Sequence, residues 1–414
     1  MSVFVKLRTN HRELHYRIIA FCVFVAFFNA VLRFSPESHL SLYRLLMPVQ
    51  LFMIFIWSKA YLNKMVFFSL ALCVTNIFSL YLGGYGFDSS IVLVFTIHYL
   101  TITMFFLTVD VVYQKGLSHE FVSFLRYCSL LFVVLGGVTW ITGINLPNIS
   151  ASPKQYGVIR SFMVNENDTS LVYGTVIVLY LYILNVKVFE KAVVIFMSFL
   201  YIFMSDSKMV MLTLVSVFMF YIFSKIKIKG GQAYSYCLVS FLLLLFILVG
   251  YANLEGITLS GYKITDLVLE PIKRILTLDA YNIGYGSLYV RTDMTIYALL
   301  DVINSYGLGI GMGNTLKMIE IGRYGQILEG AKSIHNFPLQ LVTEIGIPMF
   351  FFIMWYITRG VRLKYIGVFF LLLLMSLSQS VGVFSNYFFI VVMFTVLQEG
   401  KKGLNLPLFR HNLK

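Results

Sequence analysis

Apolar runs about as long as a bilayer crossing recur along this chain and leave few polar residues between them. A membrane-spanning helix needs roughly 20 apolar residues, and fewer where the bilayer thins around it. Only 12% of the residues are charged, about half the share in a soluble protein. We therefore predict an all-α, polytopic transmembrane bundle of about twelve helices. The predicted spans are 18–32, 42–57, 65–82, 91–110, 127–143, 170–186, 192–205, 209–224, 236–252, 338–357, 365–379 and 382–398.

Lysine and arginine are concentrated in the segments that this map places on one side of the membrane. Short loops rich in these residues face the cytoplasm. With the N-terminus inside, most of the 32 basic residues and few of the 19 acidic residues are cytoplasmic. The pattern predicts that both termini lie inside. The net charge of +13 then reflects topology and contact with anionic lipids, and no nucleic-acid partner is predicted.

The spans divide the chain into three parts. Residues 1–250 form an N-terminal bundle of spans 1–9, residues 251–337 form one long outer loop with short helices, and residues 338–414 form the last spans and a cytoplasmic tail. Long loops with their own structure commonly carry function. In this loop, apolar spacing predicts a helix over Val290–Ser305.

A glycine-rich stretch, Gly307–Gly313, follows that predicted helix. Its G-x-G spacing lacks the strand-to-helix context of a dinucleotide site. The stretch is more typical of a flexible turn, or of a backbone that comes close to a ligand.

Polar residues gather into four clusters on the outer side of this map. Positions 336, 340 and 344, at and just before the start of the tenth span, are polar and share one face of a helix that could line a cavity. A carboxylate inside a span costs about 2.5–3.5 kcal/mol, so this face needs a partner or a wet cavity. The clusters are Arg160 with Asn165–Asp168, Ser205–Lys208, Arg291 with Asp293, and His335-Asn336 with Gln340 and Glu344.

The cationic members of these clusters suit a diphosphate ligand. Arg160 and Arg291 could bind it in bidentate fashion, and Lys208 could act as a point charge. The sequence contains no Asp-rich metal motif, and its four cysteines lie in apolar runs without metal-ligand spacing. We therefore predict a site that uses neither a metal nor a cofactor.

Each cluster also has a simpler structural interpretation. Lys208 could snorkel to the interface, and Arg160 and Arg291 could be ordinary loop charges. The stretch Asn165–Asp168 could cap the sixth helix, and the polar face of the tenth span could hold helices together. A single histidine at a membrane edge is more often structural than catalytic.

At these residues the chain resembles the superfamily of O-antigen polymerases and O-antigen ligases, the Wzy-type membrane glycosyltransferases. His335-Asn336-x-x-Leu339-Gln340, followed by Glu344-x-Gly346, is similar to the family's segment after its long periplasmic loop. Arg291 and the glycine-rich stretch are similar to the family's Arg-led helix and following turn. Two further segments match with a change each, Arg160 with Asn165–Asn167 (Glu166 replaces Pro) and Ser207-Lys208 (Lys replaces Arg).

This resemblance implies a metal-independent glycosyltransferase of the GT-C type in the bacterial inner membrane, with its active site facing the periplasm. The donor would be an undecaprenyl-diphosphate-linked oligosaccharide. A polymerase would transfer the glycan to a lipid-linked repeat unit of O-antigen or capsular polysaccharide, with a chain-length regulator as a candidate partner. The alternative is an O-antigen ligase that acts on the lipid A core. A flippase or transporter of lipid-linked glycans is the more distant alternative.

The resemblance also implies roles for individual residues. His335 and Arg291 would be catalytic, and Arg291 would bind the diphosphate together with Arg160 and Lys208. The remaining candidates would orient the histidine or bind the sugar, and they are Asn336, Gln340, Glu344 and Asn167.

Overall fold

The fold is a bundle of α-helices, seen in a computed structural model. The structure describes residues 2–29, 31–32, 41–58, 60–83, 89–142, 166–205, 208–225, 258–259, 262–263, 274–278, 287–320, 334, 336–378 and 386–402. The N-terminal helices are α1 (Ser2–Phe27), α2 (Leu42–Trp57), α3 (Ala60–Gly83), α4 (Ser89–Gln114), α5 (Ser118–Thr142), α6 (Glu166–Tyr182), α7 (Val188–Met204) and α8 (Lys208–Lys225). The C-terminal helices are α9 (Ser287–Asn304), α10 (Asn314–Glu320), α11 (Phe337–Thr358), α12 (Leu363–Met375) and α13 (Tyr387–Lys401).

Three short elements accompany these helices. A 3₁₀ turn, Ser376–Ser378, follows α12. In the long loop, β1 (Thr258–Leu259) pairs with β2 (Tyr262–Lys263) in antiparallel fashion.

The predicted all-helical membrane architecture is confirmed in outline. Every predicted span except 236–252, which lies outside the described residues, overlaps a helix. Within the described ranges, three helices are long and apolar enough to cross a membrane, Val92–Gln114, Ser118–Thr142 and Phe337–Thr358. Shorter apolar helices accompany them at Leu42–Trp57, Tyr61–Ile77, Thr213–Ile222 and Leu363–Met375. The helix predicted over Val290–Ser305 is also present, as α9.

Helices α6 and α13 form the centre of the bundle. From Tyr387 to Gln398 every residue of α13 is buried, and the helix contacts α1, α4, α6 and α12. A helix that is buried on all sides must be apolar on all sides, as the sequence of α13 is. By contrast, α7 turns Phe196 and Phe203 outward, each more than half exposed. This apolar exterior is what a protein surrounded by lipid requires.

Charged side chains tie the helices together at the end of the bundle that the sequence assigns to the cytoplasm. The Asp110 carboxylate accepts hydrogen bonds from Tyr61 Oη (2.9 Å), Lys64 Nζ (3.3 Å) and Gln398 Nε2 (3.2 Å). Arg126 binds Glu190 through two parallel hydrogen bonds of 2.7 and 2.5 Å. These contacts join α3, α4 and α13 in one group, and α5 and α7 in another.

Candidate functional site

Helix α11 is broken in its first half, and the break organises the candidate site. Gly346 has φ 79° and ψ 161°, far from helical values, and Pro348 follows two residues later. Proline has no N–H, so the carbonyl of Glu344 has no donor within the helix. The N–H of Ile347 donates to the carbonyl of Gly307 (2.7 Å), which leaves the Thr343 carbonyl without its helical donor as well.

The glycine-rich turn, Gly307–Gly313, supplies the missing donors. The N–H of Ile310 donates to the carbonyl of Thr343 (2.8 Å), and that of Gly311 donates to the carbonyl of Glu344 (3.0 Å). Buried carbonyls need such partners, because each one left unpaired costs free energy comparable to a lost hydrogen bond. The turn therefore completes the hydrogen bonding of α11 from outside the helix.

Close backbone contact explains why glycine is required on both sides of this junction. A Cβ atom on Gly309 (φ 84°) would lie 2.6 Å from the backbone nitrogen of Gly346. A Cβ atom on Gly346 would lie 2.4 Å from the carbonyl oxygen of Leu308. The sequence predicted a flexible turn or a close approach to a ligand. The structure shows instead a close approach to the protein's own helix.

The carboxylate of Glu344 is fully buried beside this junction. It accepts hydrogen bonds from Tyr99 Oη on α4 (2.8 Å), from Gln340 Nε2 on α11 (3.1 Å), and from the hydroxyl of Thr315 on α10. The backbone N–H of Gly313 donates to it as well. The sequence predicted that Glu344 needs a partner or a wet cavity, and its partners in the described part of the chain are neutral donors on three helices and the turn.

Two further polar side chains fix the turn. The Oδ1 atom of Asn76 on α3 accepts from the N–H of Met312 (2.9 Å), and Asn314 Nδ2 donates to the carbonyl of Ile310 (2.6 Å). Both side chains are buried. The turn is thus attached directly to α3 and α11, and Glu344 of α11 in turn binds Tyr99 of α4.

Helix α9, which carries Arg291, packs against the start of α11. Met294 and Ala298 of α9 share one buried apolar cluster with Ile310 and Ile334. Arg291 itself is half-buried, one helical turn before Met294. The chain immediately before residue 335 therefore lies against the helix that presents Arg291.

Ile334 and Asn336 flank His335, which itself lies outside the described residues. Ile334 is buried in the cluster with α9, and Asn336 caps α11 by accepting from the N–H of Leu339 at Oδ1 (3.1 Å). Asn336 thus has a structural role at the helix start. Gln340 lies one turn further along, buried and in contact with Glu344.

An ion pair that the sequence reasoning missed lies at the beginning of α9. The sequence grouped Asp293 with Arg291, but the guanidinium of Arg274 forms a salt bridge with Asp293. Only 2% of the Arg274 side chain is exposed. Nothing in the sequence marked this pair, because 19 residues separate its members. Tyr99 and Thr315 were missed for a similar reason, since each stands in an otherwise unremarkable stretch.

The described members of the first two predicted clusters lie at the ends of α6 and α7, near the start of α13. The Ser170 and Ser205 hydroxyls share a hydrogen bond between α6 and α7, and Asn386 Nδ2 donates to the carbonyl of Asp168 (3.4 Å). Asn167 is half-buried beside them. Arg160 and Asn165 lie outside the described residues, as does the side chain of Lys208, whose backbone begins α8.

The 3₁₀ turn links this region to α11, because it contacts α8, α11 and α12. The described residues contain no group of three or more His, Cys, Asp or Glu side chains arranged to hold a metal ion. In comparisons with known proteins, no family profile, no curated protein and no solved structure matches the chain.

Proposed function

We propose that this protein is a polysaccharide repeat-unit polymerase, a GT-C-type membrane glycosyltransferase of about twelve spans with both termini in the cytoplasm. Its donor is a glycan linked to undecaprenyl diphosphate, and its acceptor is a lipid-linked repeat unit at the periplasmic face. The motifs at Arg291 and at His335-Asn336 with Gln340 and Glu344 support this proposal.

One structural observation carries the proposal. Ile334 packs in the same buried cluster as Met294 and Ala298, so the residue next to His335 lies against the helix of Arg291. A transferase of this kind needs a proton acceptor and a cation at one site. His335 and Arg291 lie 44 positions apart in the sequence (335 − 291), yet Ile334, the residue before His335, packs against the helix that carries Arg291.

The proposed chemistry divides between the leaving group and the attacking hydroxyl. As the glycosidic bond breaks, negative charge develops on the departing diphosphate, and Arg160, Lys208 and Arg291 neutralise it without a metal. His335 accepts the proton of the attacking sugar hydroxyl, a task for which an imidazole is suited near neutral pH. Asn336 and Gln340 orient this region, and Glu344 holds it in place through the glycine-rich turn.

Substitution of the two central residues tests the proposal. We expect His335→Ala and Arg291→Ala each to abolish long-chain polysaccharide, because the first removes the proton acceptor and the second removes charge stabilisation. Chain-length ladders on gels give the readout, and membrane fractions verify that both variants insert normally. Normal ladders in both variants would show that the site is wrongly assigned.

Lys208 offers a test that separates charge from anchoring. We expect Lys208→Arg to retain activity and Lys208→Ala to lose it, because a point charge near a diphosphate can be supplied by either basic side chain. Gel ladders again give the readout. Equal activity in both variants would indicate that Lys208 only anchors the helix at the interface.

Reconstitution distinguishes the polymerase from a ligase. Purified protein in liposomes with a lipid-linked repeat unit alone should produce longer lipid-linked chains. If transfer instead requires the lipid A core, the protein is a ligase. The same reconstitution with transport and no new glycosidic bond would identify a flippase.

A further inference from the structure

Three basic side chains from different helices converge at the end of the bundle that the sequence assigns to the cytoplasm. This cationic group consists of Lys64 on α3, Arg359 at the end of α11 and Lys401 on α13. Burial lowers the pKa of Lys401, the Asp110 carboxylate raises it, and the positive charges of Arg359 and Lys64 lower it further. The three cations are therefore close enough to repel one another.

Aromatic rings hold two of these cations in place. The ammonium nitrogen of Lys401 lies 5.9 Å from the centre of the Phe106 ring, and the guanidinium carbon of Arg359 lies 4.4 Å from the centre of the Tyr356 ring. The two rings contact each other edge to face, with their centres 6.1 Å apart. A cation near the face of an aromatic ring is attracted to it, so this packing keeps both charges at the same edge of the bundle.

Carboxylates do not balance the cationic group. Asp110 forms a salt bridge with one of its members, Lys64 (3.3 Å). Within the ranges that the structure describes, neither of the other two cations forms a salt bridge, and the nearby Glu399 is paired with Lys402 instead. Three cations and one carboxylate leave a net charge of +2 (3 − 1) at this place. An anionic ligand would supply the negative charge that the group lacks.

An exposed aromatic surface extends from the cationic group toward the middle of the bundle, where α3 and α11 pack together. Phe352 contacts Phe67 of α3 and Trp355 of α11, with ring centres 6.2 Å apart in both cases. The outer two residues are open to the surroundings, Phe67 at 54% and Trp355 at 59%. The Arg359 guanidinium lies 5.5 Å from the Trp355 ring and joins this surface to the cations.

We propose that the cationic group binds the phosphate of an anionic phospholipid in the cytoplasmic leaflet, and that an acyl chain of this lipid lies on the aromatic surface of α3 and α11. Basic pockets between membrane helices on the cytoplasmic side bind anionic headgroups, and arginine and lysine both suit a phosphate. Free phosphate shares this chemistry, but only a lipid also covers the apolar surface beside the charges. The inference does not depend on the proposed function, because none of its residues belongs to the candidate catalytic site.

Tryptophan fluorescence tests the inference, because Trp355 lies in the proposed surface and Trp140 is 45% exposed on α5. Replacing two of the three tryptophans by phenylalanine gives full-length proteins that keep either Trp355 or Trp140 alone. The probes are phosphatidylglycerol and phosphatidylcholine with brominated acyl chains, which quench nearby tryptophans in nanodiscs. We expect phosphatidylglycerol to bind beside Trp355 about tenfold more tightly, equivalent to about 1.4 kcal/mol, and both lipids to quench Trp140 equally. Equal quenching of Trp355 by the two lipids would overturn the inference.

A double variant and a matched control show whether the cations cause the preference. Lys64→Gln with Lys401→Gln removes two of the charges and leaves Arg359 beside Trp355, so the fluorescence remains comparable. Lys187→Gln is the control, an exposed lysine assigned to the same side on α7, which packs against α5, α6 and α8. We expect the double variant to lose the tenfold preference and the control to keep it. A preference that survives in the double variant would contradict the inference.

Two further measurements complete the test. If the double variant does not fold, native mass spectrometry of the unmodified protein decides, since phosphatidylglycerol should stay bound on release from detergent and phosphatidylcholine should not. Loss of both lipids there would overturn the inference. Inorganic phosphate should leave the preference at Trp355 as it is in sodium chloride of equal ionic strength. If phosphate abolishes the preference and chloride does not, the site binds the free anion and the assignment to a lipid is wrong.

Discussion

At the residue scale, Glu344 shows how a carboxylate is accommodated deep in a membrane bundle. Its donors are Tyr99, Thr315 and Gln340, together with the N–H of Gly313. Hydrogen bonds to a carboxylate are stronger than those between neutral groups. Glu344 therefore holds the glycine-rich turn and α4 against α11.

Substitution of Glu344 by glutamine should destabilise the protein. Glu344→Gln replaces an acceptor by an N–H₂ group among several donors, and a buried donor left without an acceptor costs about 1–3 kcal/mol. We expect a lower midpoint of thermal unfolding in detergent, measured by tryptophan fluorescence. Tyr99→Phe removes a single donor and should have a smaller effect. Unfolding of Glu344→Gln at the temperature of the unmodified protein would contradict this role.

The sequence predicted that Glu344 requires a partner or a wet cavity, but it did not identify the partner. The need for a partner or a wet cavity followed from energetics alone, because placing a carboxylate inside a membrane span costs free energy. The partner Tyr99 is 245 residues away, in an apolar run where a tyrosine has no distinguishing pattern. The sequence likewise did not indicate Arg274 as a partner of Asp293, because 19 residues separate the two.

At the scale of elements, helix positions followed from the sequence, while the break in α11 did not. The length of the apolar run predicted a span over 42–57, and these are the bounds of α2. The run suffices because a span is recognised by its stretch of hydrophobic residues. Residues 338–357 were predicted as one continuous span, although Gly346 and Pro348 are typical of a break. The carbonyl pairing with the turn depends on a contact between distant segments, which no local pattern indicates.

Three glycine substitutions test this junction. We expect Gly309→Ala and Gly346→Ala to prevent normal folding, because each Cβ would collide with backbone atoms that cannot move aside. Gly307→Ala is the matched control. It has the same left-handed φ (76°), but its Cβ would meet only the flexible side chain of Ile347, so its cost should stay near the roughly 1–2 kcal/mol of backbone strain.

Size-exclusion chromatography and thermal unfolding in detergent measure the difference. The Gly309→Ala and Gly346→Ala variants should aggregate or unfold at clearly lower temperature than Gly307→Ala. They should also lose long-chain polysaccharide, because the turn holds α9 and its Arg291 against α11. Equal stability of all three variants would show that the backbone contact is not tight.

At the scale of the whole molecule, the two ends of the bundle differ in their charged contacts. The contacts of Asp110 with Lys64 and Gln398, and of Arg126 with Glu190, join residues that the sequence assigns to the cytoplasmic side. The buried group around Glu344 belongs to the opposite half. The sequence predicts the sidedness from counts of charges and not from particular contacts, and the contacts of the structure do not test it.

Reporter fusions test this orientation. Alkaline phosphatase fused after Glu320 should be active, because it forms its disulfides only outside the cytoplasm. Green fluorescent protein fused after Lys402 should fluoresce in the cytoplasm, and phosphatase at that same position should be inactive. The opposite pattern at either position would contradict the predicted topology.

The external pairing of the Thr343 and Glu344 carbonyls has a consequence for how the protein can be recombined. Residues 337–345 are hydrogen-bonded to the turn and pack against α9, whereas residues 348–358 continue in the bundle. The first stretch of α11 is therefore held by contacts with the preceding loop. A chimaera that exchanges this loop for that of another protein should be joined after Gly346. A junction at the start of the helix would separate the N–H groups of the turn from the α11 carbonyls that accept their hydrogen bonds.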